Sequence, residues 1–418
     1  MTTNWSGTYD YRAARRERPG TAAELQQLVA DAPAVKIAGS GHSFNGIADS
    51  ETGWQLDVSG LVSAPEVDSE TGTVTVSGGM KYGDLVPALT ASGRALANLA
   101  SLPHITVAGS VATGTHGSGA RQPGLASAVE AVELLTADGE LRWIDATDRH
   151  FDGVVVSLGA LGVVTRLRLS TVPHYEVRQD AFLGMSWGEL IARVNDVLAT
   201  SYSVSVFGRW TGAGPDHIIV KSVVDGEGDG TRPSISGTSW TPDTLHPLQA
   251  AGATPDAVTE QGGVAGSWAD RLPHFKLGFT PSAGAEIQSE FFVAAEDADR
   301  GIEALLDIGD ALAPYLLVSE IRAIASESQW LSPAYGRDSV AFHFTWKPDT
   351  EGVHRAVGIV EQALADLAPR PHWGKAFTYP GRLDFAYDRL DDFDDLRRLL
   401  DPRGKFRNGF VDRHVARA

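Results

Sequence analysis

Cysteine is absent from the 418-residue chain, and methionine occurs only three times. Disulfides, thiolate catalysis and cysteine-ligated zinc are thereby excluded. Positive charge is also in short supply. Lysine and arginine number 35 against 53 acidic residues, a net charge of −18 that argues against nucleic acid and anionic membrane surfaces as partners. Long apolar runs are missing too. The opening stretch MTTNWSGTYDYRAARRERPG has no apolar core, so neither a signal peptide nor a membrane span is expected, and cytoplasmic residence follows. Asn4-Trp5-Ser6 fits a glycosylation sequon but has no secretory route to use. No internal repeat is evident.

What is present is an ordinary globular balance, 43% hydrophobic and 21% charged, on a chain long enough for two or three lobes with ample core. Two glycine-rich stretches stand out. One is Ala38-Gly-Ser-Gly-His42-Ser-Phe-Asn45; the other runs from Ser101 to Gly119 as SLPHITVAGSVATGTHGSG. Both are almost bare of charge. Small residues free backbone N–H groups to act as donors and let a ligand approach closely, and a pyrophosphate is the usual guest of such a nest. The first loop lacks G-x-G-x-x-G and opens no evident helix, so the Rossmann fingerprint is not met.

Thr21 is expected to cap a helix through Leu25, Leu28 and Val29, with Glu24 completing a capping box. Val35 to Ala38 reads as a strand feeding the first loop, and 54–57 and 73–77 alternate as strands do. Tyr82 to Leu96 reads as an amphipathic helix. Val129 to Ile144 reads as a hairpin turning at Asp138-Gly139, and His150 to Leu158 as a helix ahead of a strand from Val163. Beyond about Glu176, helices at 187–198, 298–312 and 353–367 alternate with strands near 203–208, 217–223, 286–293, 316–324 and 340–346. Residues 224–272, rich in Gly, Pro, Ser and Thr, are expected to run over the surface. A last helix is expected at 393–400, within a polar tail.

Three strands place polar groups on one face. His343 and Thr345 alternate with aromatics, Glu320 and Arg322 flank Ile321, and Gln288 and Glu290 do likewise. Pattern alone fits a half-solvated sheet, yet the same mix of donors and acceptors would floor a pocket for a polyhydroxylated ligand. Gly184-Met-Ser186-Trp-Gly188 satisfies the G-x-S-x-G nucleophile elbow of serine hydrolases, but Ser186 with Glu189 also reads as a capping box, which accounts for the serine without further assumption. His42, His104 and His116 lack the carboxylate pattern of a zinc site, so no metal is expected.

The motifs GSGHSFN and NLASLPHITVAGSVATGTHGSG, with SLGALGVVT, EIR, WLSPAYGRD, HFTW, RPHWGK and DPRGKFRN farther on, resemble the vanillyl-alcohol-oxidase family of FAD enzymes. Within it the likeness is to the alditol oxidases, along nearly the whole chain. The resemblance implies an α+β, two-lobe architecture: a PCMH-type FAD-binding domain over 1–175, a cap with an antiparallel sheet flanked by helices over 176–375, and a segment 376–418 returning to the FAD domain. It implies FAD bonded covalently through His42. The cofactor would be held by Ile37, Ala38, Gly39, Ser40, Gly41, Ser43, Ser101, Thr106, Gly109, Thr113, Gly114, Thr115, His116, Val164, His372 and Lys375, with Ala100 governing oxygen access.

Carried over by position, Ser101 and Glu320 would hold the hydroxyls nearest the reacting carbon, and Gln288, His343 and Thr345 would read the others. Arg322 would stabilise charge on the reduced ring, and Lys375 would assist loss of the hydroxyl proton as hydride moves to flavin N5. Dioxygen would then be reduced to hydrogen peroxide, for which few oxidisable sulfurs would suit the chain. Expected partners are a small polyol and dioxygen, and the chain is expected to be monomeric. An aldonolactone oxidase or dehydrogenase of the same flavin family is the nearer rival; a hydrolase using Ser186 is the remote one.

Overall fold

The computed structural model describes residues 2–224, 232–278 and 286–417. Part of the expected surface excursion, 225–231, lies outside the described residues.

Among the described residues the N-terminal lobe holds a two-stranded pairing of Arg94–Ala95 with Val172–Pro173 and two larger sheets. In one, Arg15–Glu17, Trp54–Leu56 and Val35–Ile37 run parallel in that order. The other is antiparallel, ordered Glu66–Asp68, Thr73–Ser77, Val163–Ser170, Val129–Leu135, Leu141–Asp145. The expected hairpin turns at Asp138-Gly139, where φ of +87° suits a residue without Cβ. Val35–Ile37 delivers the first glycine loop, and the second enters the short helix Val107–Ala112.

Local chemistry ended several expected elements early. Thr21 caps the helix Ala22–Asp31 by accepting from Glu24 N at 3.1 Å, but the Glu24 carboxylate takes the N–H of Gly20 at 2.8 Å, so the capping box does not close. The helix expected to reach Leu96 is Tyr82–Ala91. Gly93, at φ +64°, turns the chain out, and Leu96 reaches the core from beyond the turn. Likewise Phe151–Val155 is all that is helical before Leu158 and Gly159 adopt φ of +52° and +58°.

Among the described residues the second lobe is built on a nine-stranded antiparallel sheet. Its central path runs Glu176–Leu183, His217–Val224, Ser203–Gly208, Leu316–Ile324, Ser339–Trp346, Ile287–Ala294. One face carries Phe342, Phe344 and Trp346 into a core shared with residues of the helices Val194–Leu198, Ala298–Asp307 and Thr350–Ala363. The helices expected at 187–198 and 298–312 are each broken in two, at Arg193 and Ile308. The α+β class holds.

The excursion does not simply cross the surface. Trp268 (0% exposed) and Leu272 (5%) are buried in the core of the first lobe, and just beyond the excursion His274 is buried beside the sheet. A Gly/Ser/Thr-rich composition hid these few anchors. The tail lies against N-terminal elements. Lys405 Nζ donates to the carbonyls of Val29, Ala30 and Ala32, and Asn408 Nδ2 to those of Gly46, Ile47 and Asp49. The DPRGKFRN motif thus acts as a clasp. Among the described residues no helix is long and apolar enough to cross a membrane.

Candidate active site

A cleft of about 810 Å³ runs between the glycine loops and the polar face of the large sheet. Register explains the convergence. Glu320 pairs with His343 and His343 with Glu290, so the three carboxylate and imidazole groups form one cross-strand row. Thr345 and Gln288 pair in the next row. The face is not solvated: Glu290 is 1% exposed, Glu320 5%, Arg322 6%, Thr345 7% and His343 8%.

The glycine loops close the opposite wall. At Gly39 a Cβ would lie 2.3 Å from Thr106 Oγ1, so the two loops meet where only glycine fits. Asn45, which ends the first motif, donates from Nδ2 to the carbonyls of Trp373 and Lys375 at 2.8 Å each, and Phe44 N donates to Gly374 O at 2.8 Å. Loop one therefore sets the position of the His372-Trp-Gly-Lys375 segment. Trp5 stacks on His42 at 4.9 Å. Both ring nitrogens of His42 are buried without a hydrogen-bond partner, and burial, then Lys375 and His104, push its pKa down to about 4. A neutral, unpartnered imidazole in a glycine-lined wall is well suited to bond a flavin.

Every residue expected in the site lines this cleft except Gly114. That glycine instead follows the end of the helix Val107–Ala112 at φ +66°, where a Cβ would lie 2.8 Å from Pro333 Cδ. Its role is to turn the chain. Ser186 is outside the cleft. Its hydroxyl accepts from Glu189 N at 3.2 Å while Glu189 accepts from Ser186 N at 3.1 Å, the closed box that the hydrolase reading ignored.

Charge in the floor is tightly paired. Arg322 lies between two carboxylates, 2.5 Å from Glu290 Oε1 and 3.5 Å from Glu320 Oε2. His116 Nε2 faces Glu290 at 3.2 Å, and its Nδ1 meets the Gly117 carbonyl at 2.8 Å. Burial alone would raise both carboxyl pKa values, but Arg322, with His116 at Glu290 and His274 at Glu320, holds each well below the usual carboxylate range. Burial and then Lys375 push His343 down to about 3. Lys375 Nζ donates to Gln288 Oε1, to which His343 Nε2 also donates at 3.3 Å. Burial brings Lys375 down to about 8, against the pull of Glu290. The floor thus offers fixed ionised acceptors, neutral imidazoles, and one amine poised to gain or lose a proton near neutrality.

Sequence reasoning missed two contributors. Glu290 shares the alternation of Gln288 but was not among the expected site residues, and only the register reveals it as the partner of Arg322. His274 lies just beyond the expected surface excursion 224–272 and was not among the expected site residues. Its backbone N donates to Ser101 O at 3.2 Å, and its ring reaches Glu320 at 2.9 Å.

Comparison with known proteins gives the family of the chain. A family model described as FAD binding domain matches residues 14–145, and one described as D-arabinono-1,4-lactone oxidase matches 289–414. An alditol oxidase from a Streptomyces species is 46% identical over 98% of this chain and 97% of its own. The chain belongs to the vanillyl-alcohol-oxidase family of FAD-dependent oxidoreductases. More distant relatives span it equally well: an L-gulono-1,4-lactone dehydrogenase from Mycobacterium tuberculosis at 28% identity, covering 98% of each chain, and an L-gulonolactone oxidase from Mus musculus at 26%, covering 98% of this chain and 97% of its own. The N-terminal lobe is accordingly an FAD-binding domain, and the unpartnered His42 and the Gly39–Thr106 contact lie in its cleft wall.

Proposed function

We propose that the protein oxidises the terminal primary hydroxyl of alditols such as xylitol and sorbitol to the aldose, with dioxygen as acceptor. Residues 1–175 with the tail bind FAD, attached covalently through His42, and 176–375 cap it and read the polyol. The observation that carries this reading is the buried polar face of the sheet. Glu320, Arg322, His343, Thr345, Gln288 and Lys375 all line the cleft opposite the glycine loops. A neutral polyol needs such alternating donors and acceptors along its length, and unpaired buried polar groups would reject a ligand lacking hydroxyls. The 46% identity to an alditol oxidase points the same way.

FAD held by the glycine loops would supply the redox chemistry, taking up a hydride equivalent from the carbinol carbon and yielding electrons to dioxygen to give hydrogen peroxide. The chain does the rest. Glu320 and Ser101 bind hydroxyls near the reacting carbon, Lys375 Nζ takes the hydroxyl proton, and Arg322 supplies fixed positive charge. Ala100, 6% exposed in the cleft wall, would govern the access of dioxygen.

The second reading, oxidation of an aldonolactone, rests on the lactone-oxidase family match over 289–414 and the lactone-acting relatives. Anaerobic titration of the purified flavoprotein separates the two. Bleaching by xylitol and not by L-gulono-1,4-lactone supports the alditol reading; the reverse overturns it. Rapid recovery of colour in air marks an oxidase, and persistent bleaching a dehydrogenase.

A further inference from the structure

Beside Glu320 lies a buried lysine–histidine pair, of which His274 lines the cleft. Lys221 is on His217–Val224, two strands from Glu320 and only 2% exposed. Its Nζ donates to Leu272 O and lies 3.4 Å from His274 Nδ1. His274 Nε2 lies 2.9 Å from Glu320 Oε1, and Ser205 Oγ is 3.5 Å from the same nitrogen. Phe207 packs edge-on against the His274 ring at 5.3 Å. Nothing in the proposed chemistry requires either residue, yet burying an amine beside an imidazole is costly unless it achieves something.

We propose that Lys221 and His274 are positioning residues for Glu320: Lys221 fixes the His274 tautomer that donates to the Glu320 carboxylate, which is thereby presented as an acceptor to a substrate hydroxyl. The donor inventory supports this. The lysine ammonium can only donate, and the neutral amine keeps N–H groups to do so, so Nδ1 of His274 accepts and the ring proton sits on Nε2. A carboxylate can only accept, so Nε2–H is the tautomer Glu320 needs. The other tautomer would set a bare lone pair against a buried carboxylate. Burial, then the charge of Lys221, push His274 down to about 4, which keeps the ring neutral near pH 7. With one oxygen held by His274 and the other near Arg322 Nε, Glu320 keeps its remaining lone pairs for the cleft it lines. The Ser101 carbonyl, by accepting from His274 N, ties this pair to the second glycine loop.

The inference rests on the alditol reading for its substrate but not for its tautomer, and two readouts keep these apart. In the flavin-loaded enzyme, His274→Leu should lower kcat/KM for xylitol about ten- to hundredfold, the usual worth of a hydrogen bond to a charged group. His274→Gln, whose amide can replace the Nε2–H donor, should recover much of that loss. A role in packing alone would make leucine the milder change and overturn the proposal. Lys221→Met should lower kcat/KM on its own yet add little in the His274→Leu background, because the lysine acts through the imidazole. Flavin content should be unaltered throughout.

Independently of any substrate, nitrogen-15 NMR of histidine-labelled protein should show His274, identified by its loss in His274→Gln, as the Nε2–H tautomer. Lys221→Met should give a mixture. An Nδ1–H tautomer or an imidazolium in the unmodified protein would overturn the lock outright. A protein that oxidises no alditol would sink the substrate reading while the nitrogen signals still decided the tautomer.

Discussion

Lys375→Met makes opposite demands on activity and stability, which makes it the sharpest test of the proposed base. In the folded chain burial lowers the Lys375 pKa from 10.5 to about 8. At pH 7 roughly one molecule in ten then carries the free amine, against fewer than about one in a thousand for an exposed lysine. If the amine takes the substrate proton, kcat/KM should rise about tenfold per pH unit below 8 and level above it. Removing the base should cost about 10²–10⁴-fold and abolish that slope.

Stability should move the other way. The unfolded chain holds this proton more tightly than the folded one, so stability rises with pH between about 8 and 10.5, and below 8 the buried ammonium is a full burden. At ~1.4 kcal/mol per pH unit, that gap bounds the gain from Lys375→Met at pH 7 at about 3 kcal/mol, less what partial exposure relieves. The assays are stopped-flow flavin reduction by xylitol from pH 6 to 10 and urea unfolding at equal flavin loading. A flat wild-type profile below pH 8, or a methionine variant that keeps the slope, would refute the assignment. Loss of activity together with lost stability would point to collapse of the site instead.

Other substitutions probe separate parts of the argument. Glu290→Gln removes the carboxylate that most opposes the lowering of Lys375, so the break in the pH profile should move to lower pH; an unmoved break would show that the two groups are not coupled. His42→Ala should leave the flavin extractable by acid precipitation, where the wild type should retain it in the pellet. Lys405→Met strips a donor from three carbonyls at the end of the helix Ala22–Asp31 and should cost about 2 kcal/mol in urea unfolding without altering kcat. Ser186→Ala should cost about 1 kcal/mol through loss of its cap and leave oxidation intact, an outcome the hydrolase reading forbids.

What could be read from the sequence follows from the range over which each signal acts. Period-two alternation placed His343 and Thr345 on one face and the aromatics on the other, because side-chain direction in a strand is local. Helix ends were harder. Gly93 turns the chain out of its helix at positive φ and Val156 leaves the helical region at ψ 75°, yet apolar residues beyond both stops still fall on the core, so hydrophobic spacing ran on past the true ends. Glu320 could be set beside Arg322 by the same alternation, but the second partner of Arg322 was out of reach. Glu290 becomes its counter-ion only through the register of three strands, and His274 reaches Glu320 from 46 residues away in sequence, just past the stretch 224–272 whose composition reads as surface loop.

The same pairings bear on the choice between hydroxyl and lactone. In the site floor, Arg322 is already committed to two carboxylates, while burial leaves His343 and His372 neutral. Two fixed negative charges around one guanidinium make the floor rich in acceptors. A lactone offers a carbonyl that wants donors, and a carboxylate facing it would lose a hydrogen bond. An alditol offers a hydroxyl to each acceptor. Converting Glu320 to glutamine removes one ionised acceptor and adds a donor, so it should weaken xylitol by about ten- to hundredfold in kcat/KM while costing a lactone far less. Equal losses on both would mean that Glu320 serves the cofactor or the fold, and the argument from acceptor balance would then fail with it.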